Sequence, residues 1–136
     1  MTRFVVDADV VIHLVSEGID VGAGHTLVAP TLIRSQVLSR LHEAVVRGDL
    51  PSDVALTRLR AAWALPIRLL GDAVLRRRAW DIATELGWAE TYAAEYLALT
   101  QLQGDALVTL DATLAKRAAT MVRIATVDDL RNAASR

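Results

Sequence analysis

No cysteine occurs in this chain of 136 residues, lysine and phenylalanine occur once each, and proline three times. Without cysteine there are no disulfides, no thiolate zinc sites and no cysteine nucleophiles, a composition that fits a reducing cytoplasm. Long apolar runs are also missing. The chain is 53% hydrophobic, yet charges interrupt every stretch before it reaches the length of a membrane span. No membrane partner is therefore expected. The N-terminus runs straight into a strand-like segment, so no signal peptide is expected either. The net charge of −1 lacks the strong basic excess common in nucleic-acid binders. Acids clustered around a metal can nevertheless mask a basic surface in that total. With Lys116 the only lysine, the bases are nearly all arginine. A high-GC genome explains this together with the abundance of Ala and Val; selection for phosphate contacts is the sharper alternative.

What is present reads as one domain, residues 1–136, long enough to bury a proper core. There is no repeat, low-complexity stretch or linker. Apolar β-branched runs predict strands at Arg3 to Val6, Thr26 to Ala29, Ala106 to Leu110 and Val122 to Ala125, with a shorter one at Ile67 to Leu70. Helices are expected at Ala8 to Ser16, from Pro30 through Arg47, from Ser52 through Leu65, from Asp72 to Leu86, at Thr91 to Leu102, at Ala112 to Ala118 and at Val127 to Ala133. Pro30 is read as a first-turn proline, and Gly18, Gly48, Gly87 and Gly104 as helix closers. Strands alternating with helices imply a parallel sheet covered on both faces, a three-layer α/β/α sandwich. The paired helices between Pro30 and Leu65 read as a hairpin arm. Its apolar positions Leu38, Leu41, Val45, Leu56, Leu59 and Trp63 either pack on the arm's own core or partly face a partner subunit.

Two aspartates carry the chemical signal. Asp7 directly follows the first strand run and Asp111 the one ending at Leu110. In parallel α/β sheets ligands bind at the carboxyl ends of strands, so carboxylates from opposite ends of the chain can meet at one sheet edge. Such a pair is a ready site for a hard divalent cation, Mg²⁺ or Mn²⁺, which takes oxygen ligands. Each aspartate has a second reading as a helix N-cap, and so does Asp9. Two carboxylates alone would hold a cation weakly, in exchange with solvent.

The stretches FVVDADVVIHL, APTLIRSQVLSRL and TYAAEYLALTQLQGDALVTLDATLA resemble, in order and spacing, those of a PIN domain, and most of all the toxin of a bacterial VapBC toxin–antitoxin pair. The resemblance runs from Phe4 to Leu130. It implies a PIN-like fold, a metal-dependent endoribonuclease acting on structured RNA of the tRNA or rRNA class, a homodimer, and a cognate antitoxin that covers the acidic pocket. It also implies four acidic positions. The first is Asp7 and the fourth Asp111. The second falls in Pro-x-Leu-x-x-x-Glu-Val, where this chain has Gln36; the third falls in Tyr-Asp-Ala-x-Tyr, where it has Ala93. Asp9 sits where the family often has Ser, Thr or Asn, and it or Gln36 would help Asp7 and Asp111 hold the metal. Gln36 keeps the size and a carbonyl oxygen but not the charge, whereas Ala93 removes the ligand, as deliberate inactivation or natural loss would equally leave it. Weak activity or none is the expectation. Glu90, three residues before Ala93, is the acid placed to compensate if the helix extends that far, while Glu95 points to the other side.

Other features are less specific. His13, His25 and His42 lack ligand spacing. Arg76, Arg77 and Arg78 fan around a helix and are read as a solvated face, with an RNA phosphate contact as the alternative. Tyr92, Tyr96, Trp80 and Trp88 are read as core rather than as base-stacking platforms. Gly22 and Gly24 form no phosphate-cradling motif. Two rival functions stay open: a non-catalytic PIN-fold module that keeps antitoxin and RNA contact, and a small phosphatase using the Asp7-x-Asp9 pair, against which the want of a suitably placed lysine counts.

Overall fold

The computed structural model describes residues 1–133, so positions 134–136 of the expected domain lie outside it. Along the chain the elements are β1 (Thr2–Val6), α1 (Ala8–Glu17), β2 (His25–Pro30), α2 (Ile33–Val46), α3 (Ser52–Ala64), β3 (Ile67–Leu70), α4 (Ala73–Leu86), α5 (Tyr92–Gln103), β4 (Ala106–Val108), α6 (Ala112–Ala118), β5 (Ile124–Ala125) and α7 (Val127–Arg131). The strands form one parallel sheet in the order β3-β2-β1-β4-β5. Crossovers between parallel strands are right-handed. The chain winds outward one way through β1, β2 and β3, then resumes beyond β1 through β4 and β5. The connecting helices therefore cover opposite faces. Helices α1, α2 and α3 pack on one another, while α4 packs on α5 and α5 lies across β1, β2 and β4. This is the expected α/β/α sandwich.

Burial on both faces explains why the central strands are continuously apolar. Val5, Val6, Leu107 and Val108 are fully enclosed. Helix α5 is buried at Ala94 and throughout Tyr96 to Thr100, so it shows no amphipathic stripe. Its close seat depends on Gly104, where a Cβ would lie 2.7 Å from Cγ2 of Val5. Gly87, at φ 70°, ends α4 in a left-handed turn and sends the chain back toward the sheet.

Several boundaries differ from the pattern-based reading. Pro30 is the last residue of β2, paired with Leu70, and α2 begins only at Ile33. The N–H of Thr31 donates to the Leu70 carbonyl, which turns the donor-less nitrogen of Pro30 toward β1, whose pairing with β2 has already stopped at Val5–Val28. The strand expected to reach Leu110 stops at Val108, because its partner β1 ends at Val6. Likewise β5 is confined to Ile124 and Ala125, the residues opposite Leu107 and Val108. Helix α7 ends at Arg131 rather than Ala133. On the hairpin arm Leu41 is buried and Val45 and Leu59 half-buried, while Leu38, Leu56 and Trp63 are exposed. No helix among the described residues is long and apolar enough to cross a membrane.

Candidate active site

The winding direction reverses between β1 and β4, and at such a switch point the two crossovers diverge and leave a crevice at the strands' carboxyl ends. Val6 and Val108 are register partners, so β1 and β4 finish side by side. Asp7 follows the first directly, and Asp111 the second after a two-residue turn. An open cleft of about 310 Å³ lies there, lined by Asp7, Asp9, Gln36, Arg40, Glu90, Tyr92, Ala93, Tyr96 and Asp111 together with Ala8 and Leu114. Every acidic position implied by the motifs, substituted or not, thus faces one space. Four separate segments of chain supply them.

Both surviving strand-end acids are helix N-caps. Oδ1 of Asp7 accepts from the Val10 N–H at 2.9 Å, and Oδ1 of Asp111 accepts from the N–H groups of Thr113 and Leu114 at 3.0 Å each. Asp9, the other candidate cap of α1, sits inside its first turn instead. Thr109 stands beside both: its hydroxyl accepts from the Asp111 N–H at 3.2 Å, and its side chain favours the ionised Asp7 carboxylate. Burial is the main reason that the Asp7 carboxyl is pushed above its ordinary value. The charge of Asp9 adds to this, while the Val10 N–H, Thr109 and Arg40 oppose it. Asp7 is therefore a partly desolvated carboxylate that gains from any cation placed beside it.

The helix-borne positions are differently occupied. Gln36 accepts a hydrogen bond at Oε1 from the hydroxyl of Tyr96, so its carbonyl is already engaged. Burial, followed by the charges of Asp7 and Glu95, pushes the Tyr96 phenol far up, which keeps it a donor. Ala93, in the first turn of α5, presents only a methyl group. One turn beyond Gln36 on α2, Arg40 reaches Oδ2 of Asp9 at 3.4 Å. Thr91 is the residue before α5, which leaves Glu90 outside the helix; it lines the cleft all the same. Glu95 lies away from the cleft, as expected, within the field of Arg76; burial outweighs that field and raises its carboxyl.

Among the described residues no group of three or more His, Cys, Asp or Glu side chains is gathered closely enough to hold a metal ion. With Asp9 turned toward Arg40, the carboxylates left in the cleft are those of Asp7 and Asp111 at the strand ends and of Glu90 in the loop before α5. That donor set would suit a weakly held, largely hydrated magnesium-like cation better than a tightly caged one. The three histidines play no part in the cleft, and His25 instead contacts the Asn132 carbonyl and the edge of Phe4.

Sequence reasoning overlooked Thr109 and Arg40. The four-residue interval from Gln36 to Arg40 would have placed the arginine on the same helix face. No local signal announces the place of Thr109 near Asp7, which depends on the side-by-side ends of β1 and β4.

No protein-family model matches the chain, and no curated protein matches it by sequence. Solved structures do resemble it. PAE2754 from Pyrobaculum aerophilum is 22% identical, with 95% of this chain and 92% of that one aligned at a TM-score of 0.74. VapBC2 from Rickettsia felis, solved bound to a DNA fragment from its promoter, is 14% identical, with 91% of this chain and 98% of that one aligned at a TM-score of 0.60. At these identities the likeness is one of fold, and the chain has the PIN-like, VapC-like fold that its motifs led us to expect.

Proposed function

We propose that the cleft is the centre of a metal-dependent endoribonuclease, the toxin of a type II toxin–antitoxin pair, in a chain whose own activity is weak or absent. One observation carries this reading: Asp7, Gln36, Ala93 and Asp111, matched to motifs far apart in sequence, line a single cleft at the switch point of the sheet. Asp7 and Asp111 are the residues that would hold Mg²⁺ or Mn²⁺. Such an ion supplies charge neutralisation on the phosphodiester and a more acidic water. The chain's other groups act around it. Thr109 stands beside both aspartates, the protonated Tyr96 holds Gln36, and Arg40 presents a cation at the rim where a phosphate of an RNA backbone would pass. The loss of charge at Gln36 and of the whole ligand at Ala93 is the reason for weak activity. Likeness to VapBC2 supports a cognate antitoxin as partner, and the exposed Leu38, Leu56 and Trp63 on the hairpin arm support a homodimer.

A second reading, a non-catalytic PIN-fold module that binds RNA and antitoxin, draws on the Tyr96–Gln36 bond and the Arg40–Asp9 pair, which already satisfy two groups that a metal site would use. Cleavage of a mixed tRNA and rRNA substrate in Mn²⁺, by this chain and by its Ala93→Asp form, separates the two. The nuclease reading expects cutting by the Asp form and little by the unaltered chain. Absence of cutting by both, with RNA still bound, supports the module.

A further inference from the structure

Arg40 is the one cationic side chain among the described residues that line the cleft. Four carboxylates share the same lining, those of Asp7, Asp9, Glu90 and Asp111. A space so composed attracts any cation that can enter it. Arg40 is the cation already present. Its Nη1 lies 3.4 Å from Oδ2 of Asp9. Its charge also reaches the Asp7 carboxyl and the Tyr96 phenol, where it opposes the effect of burial.

This contact ties up one acid in particular. Asp9 lies two residues beyond Asp7, in the first turn of α1, and lines the cleft with it. Unlike Asp7 and Asp111 it caps no helix. Arg40 is the sole partner of its side chain among the described residues. The pair is easily broken, since both side chains are about half exposed. Arg40 also has a second place to go. It lines a neighbouring hollow of about 320 Å³, shared with Glu43, Arg47, Asp49 and Arg58. Glu43 is three residues further along α2, a spacing that suits a pair with Arg40. It forms no ion pair among the described residues.

We propose that Arg40 is the resident counter-ion of the cleft and occupies Asp9 until a divalent cation displaces it. The inference rests on the reading of the cleft as a metal site. Arg40 is then a positioning residue, because it decides whether Asp9 serves as a further carboxylate beside Asp7 and Asp111. With Arg40 on Asp9, an entering ion meets the two strand-end aspartates and a fixed positive charge. With Arg40 turned to Glu43, it meets a third aspartate and no competitor. Gln36 and Ala93 bring no charge to the site, so this exchange weighs heavily in what charge remains.

Calorimetric titration with Mn²⁺ tests the exchange without requiring cleavage. Arg40→Gln should bind Mn²⁺ about tenfold more tightly than the unaltered chain, the scale of removing one charge from beside a divalent ion. Added salt should shrink that gain. Arg40→Lys keeps the charge and should stay within about twofold of the unaltered chain. Arg47→Gln removes an arginine from the hollow but not from the cleft, and should also stay within about twofold. Asp9→Asn separates exchange from plain repulsion. Its cost to Mn²⁺ affinity should be at least about fivefold larger in the Arg40→Gln background, where Asp9 is free to ligate. Melting curves check that each variant is folded. Equal affinity of Arg40→Gln and the unaltered chain, an equal gain by Arg47→Gln, or equal costs of Asp9→Asn in both backgrounds each overturns the role of Arg40 while leaving the metal reading intact. Absence of Mn²⁺ binding by every form, including one carrying Gln36→Glu and Ala93→Asp, overturns both.

Discussion

The two sides of the cleft are built on different principles. On the strand-end side, Asp7 and Asp111 each close the first turn of a helix as well as facing the cleft. On the helix side, positions 36 and 93 lie within α2 and α5, where nothing in the backbone calls for a carboxylate. Loss of an N-cap costs about 1 kcal/mol, whereas alanine is the residue a helix interior accepts most readily. Folding alone thus favours a capping side chain at 7 and 111, a role aspartate fills, and only chemistry would favour acids at 36 and 93. A capping acid where the fold wants a cap, and none where only a reaction would want one, is what the proposed reading of the cleft as a weakened catalytic centre expects.

The largest effect should come from rebuilding the helix side. A chain carrying both Gln36→Glu and Ala93→Asp should bind Mn²⁺ more than about a hundredfold more tightly by calorimetry, since even an outer partner of a metal site is worth about ten- to a hundredfold. An unchanged affinity would mean that the two sides do not form one donor set. Next in size is the strand-end side. Asp111→Ala should lose about 1 kcal/mol of stability in a denaturant melt, while Ala93→Asp, an acid in the first turn of α5, should change stability by less than about 0.5 kcal/mol. Equal losses at the two positions would remove the contrast.

Asp7 tests the same contrast through pH. Burial raises its carboxyl, so the folded state holds that proton more firmly than the unfolded state does. The corresponding stability is complete below the ordinary carboxylate value and is lost as pH rises through the raised one. Asp7→Asn keeps a capping oxygen and has no charge to desolvate. It should therefore melt higher than the unaltered chain in neutral buffer and lack this part of the pH dependence. A lower melting temperature for Asp7→Asn would show that the ionised carboxylate has a favourable partner in the fold. The smallest effect is expected at the rim. Arg40 and Asp9 are both about half exposed, and Arg40→Ala should cost no more than about 0.5 kcal/mol, which salt should reduce further.

Much of this was legible in the residues because it is locally encoded. Apolar β-branched runs marked the strands, Gly18 and Gly87 marked helix ends, and the position of Asp7 and Asp111 after strand runs placed them at one sheet edge once the sheet was parallel. Strand ends were less legible, since Val108 and Ile124 are set by the lengths of their neighbours. Pro30 misled for the same reason: a proline that suits a first helical turn also suits the end of a strand whose neighbour has stopped.

The sequence by itself determined the order of elements, the buried runs and the spacing of the motif positions, all of which follow from periodicity and capping within a few residues. The tertiary structure decided how those positions are used. Tyr96 meets Gln36 across a separation of 60 residues, Arg40 meets Asp9 across 31, and Thr109 meets the first strand's aspartate from the far end of the chain. Tyr92, which composition places in the core, is left at the mouth of the cleft. The reason is that a side chain's partner depends on how α2, α5 and the ends of β1 and β4 are packed against one another, and no local pattern contains that distance.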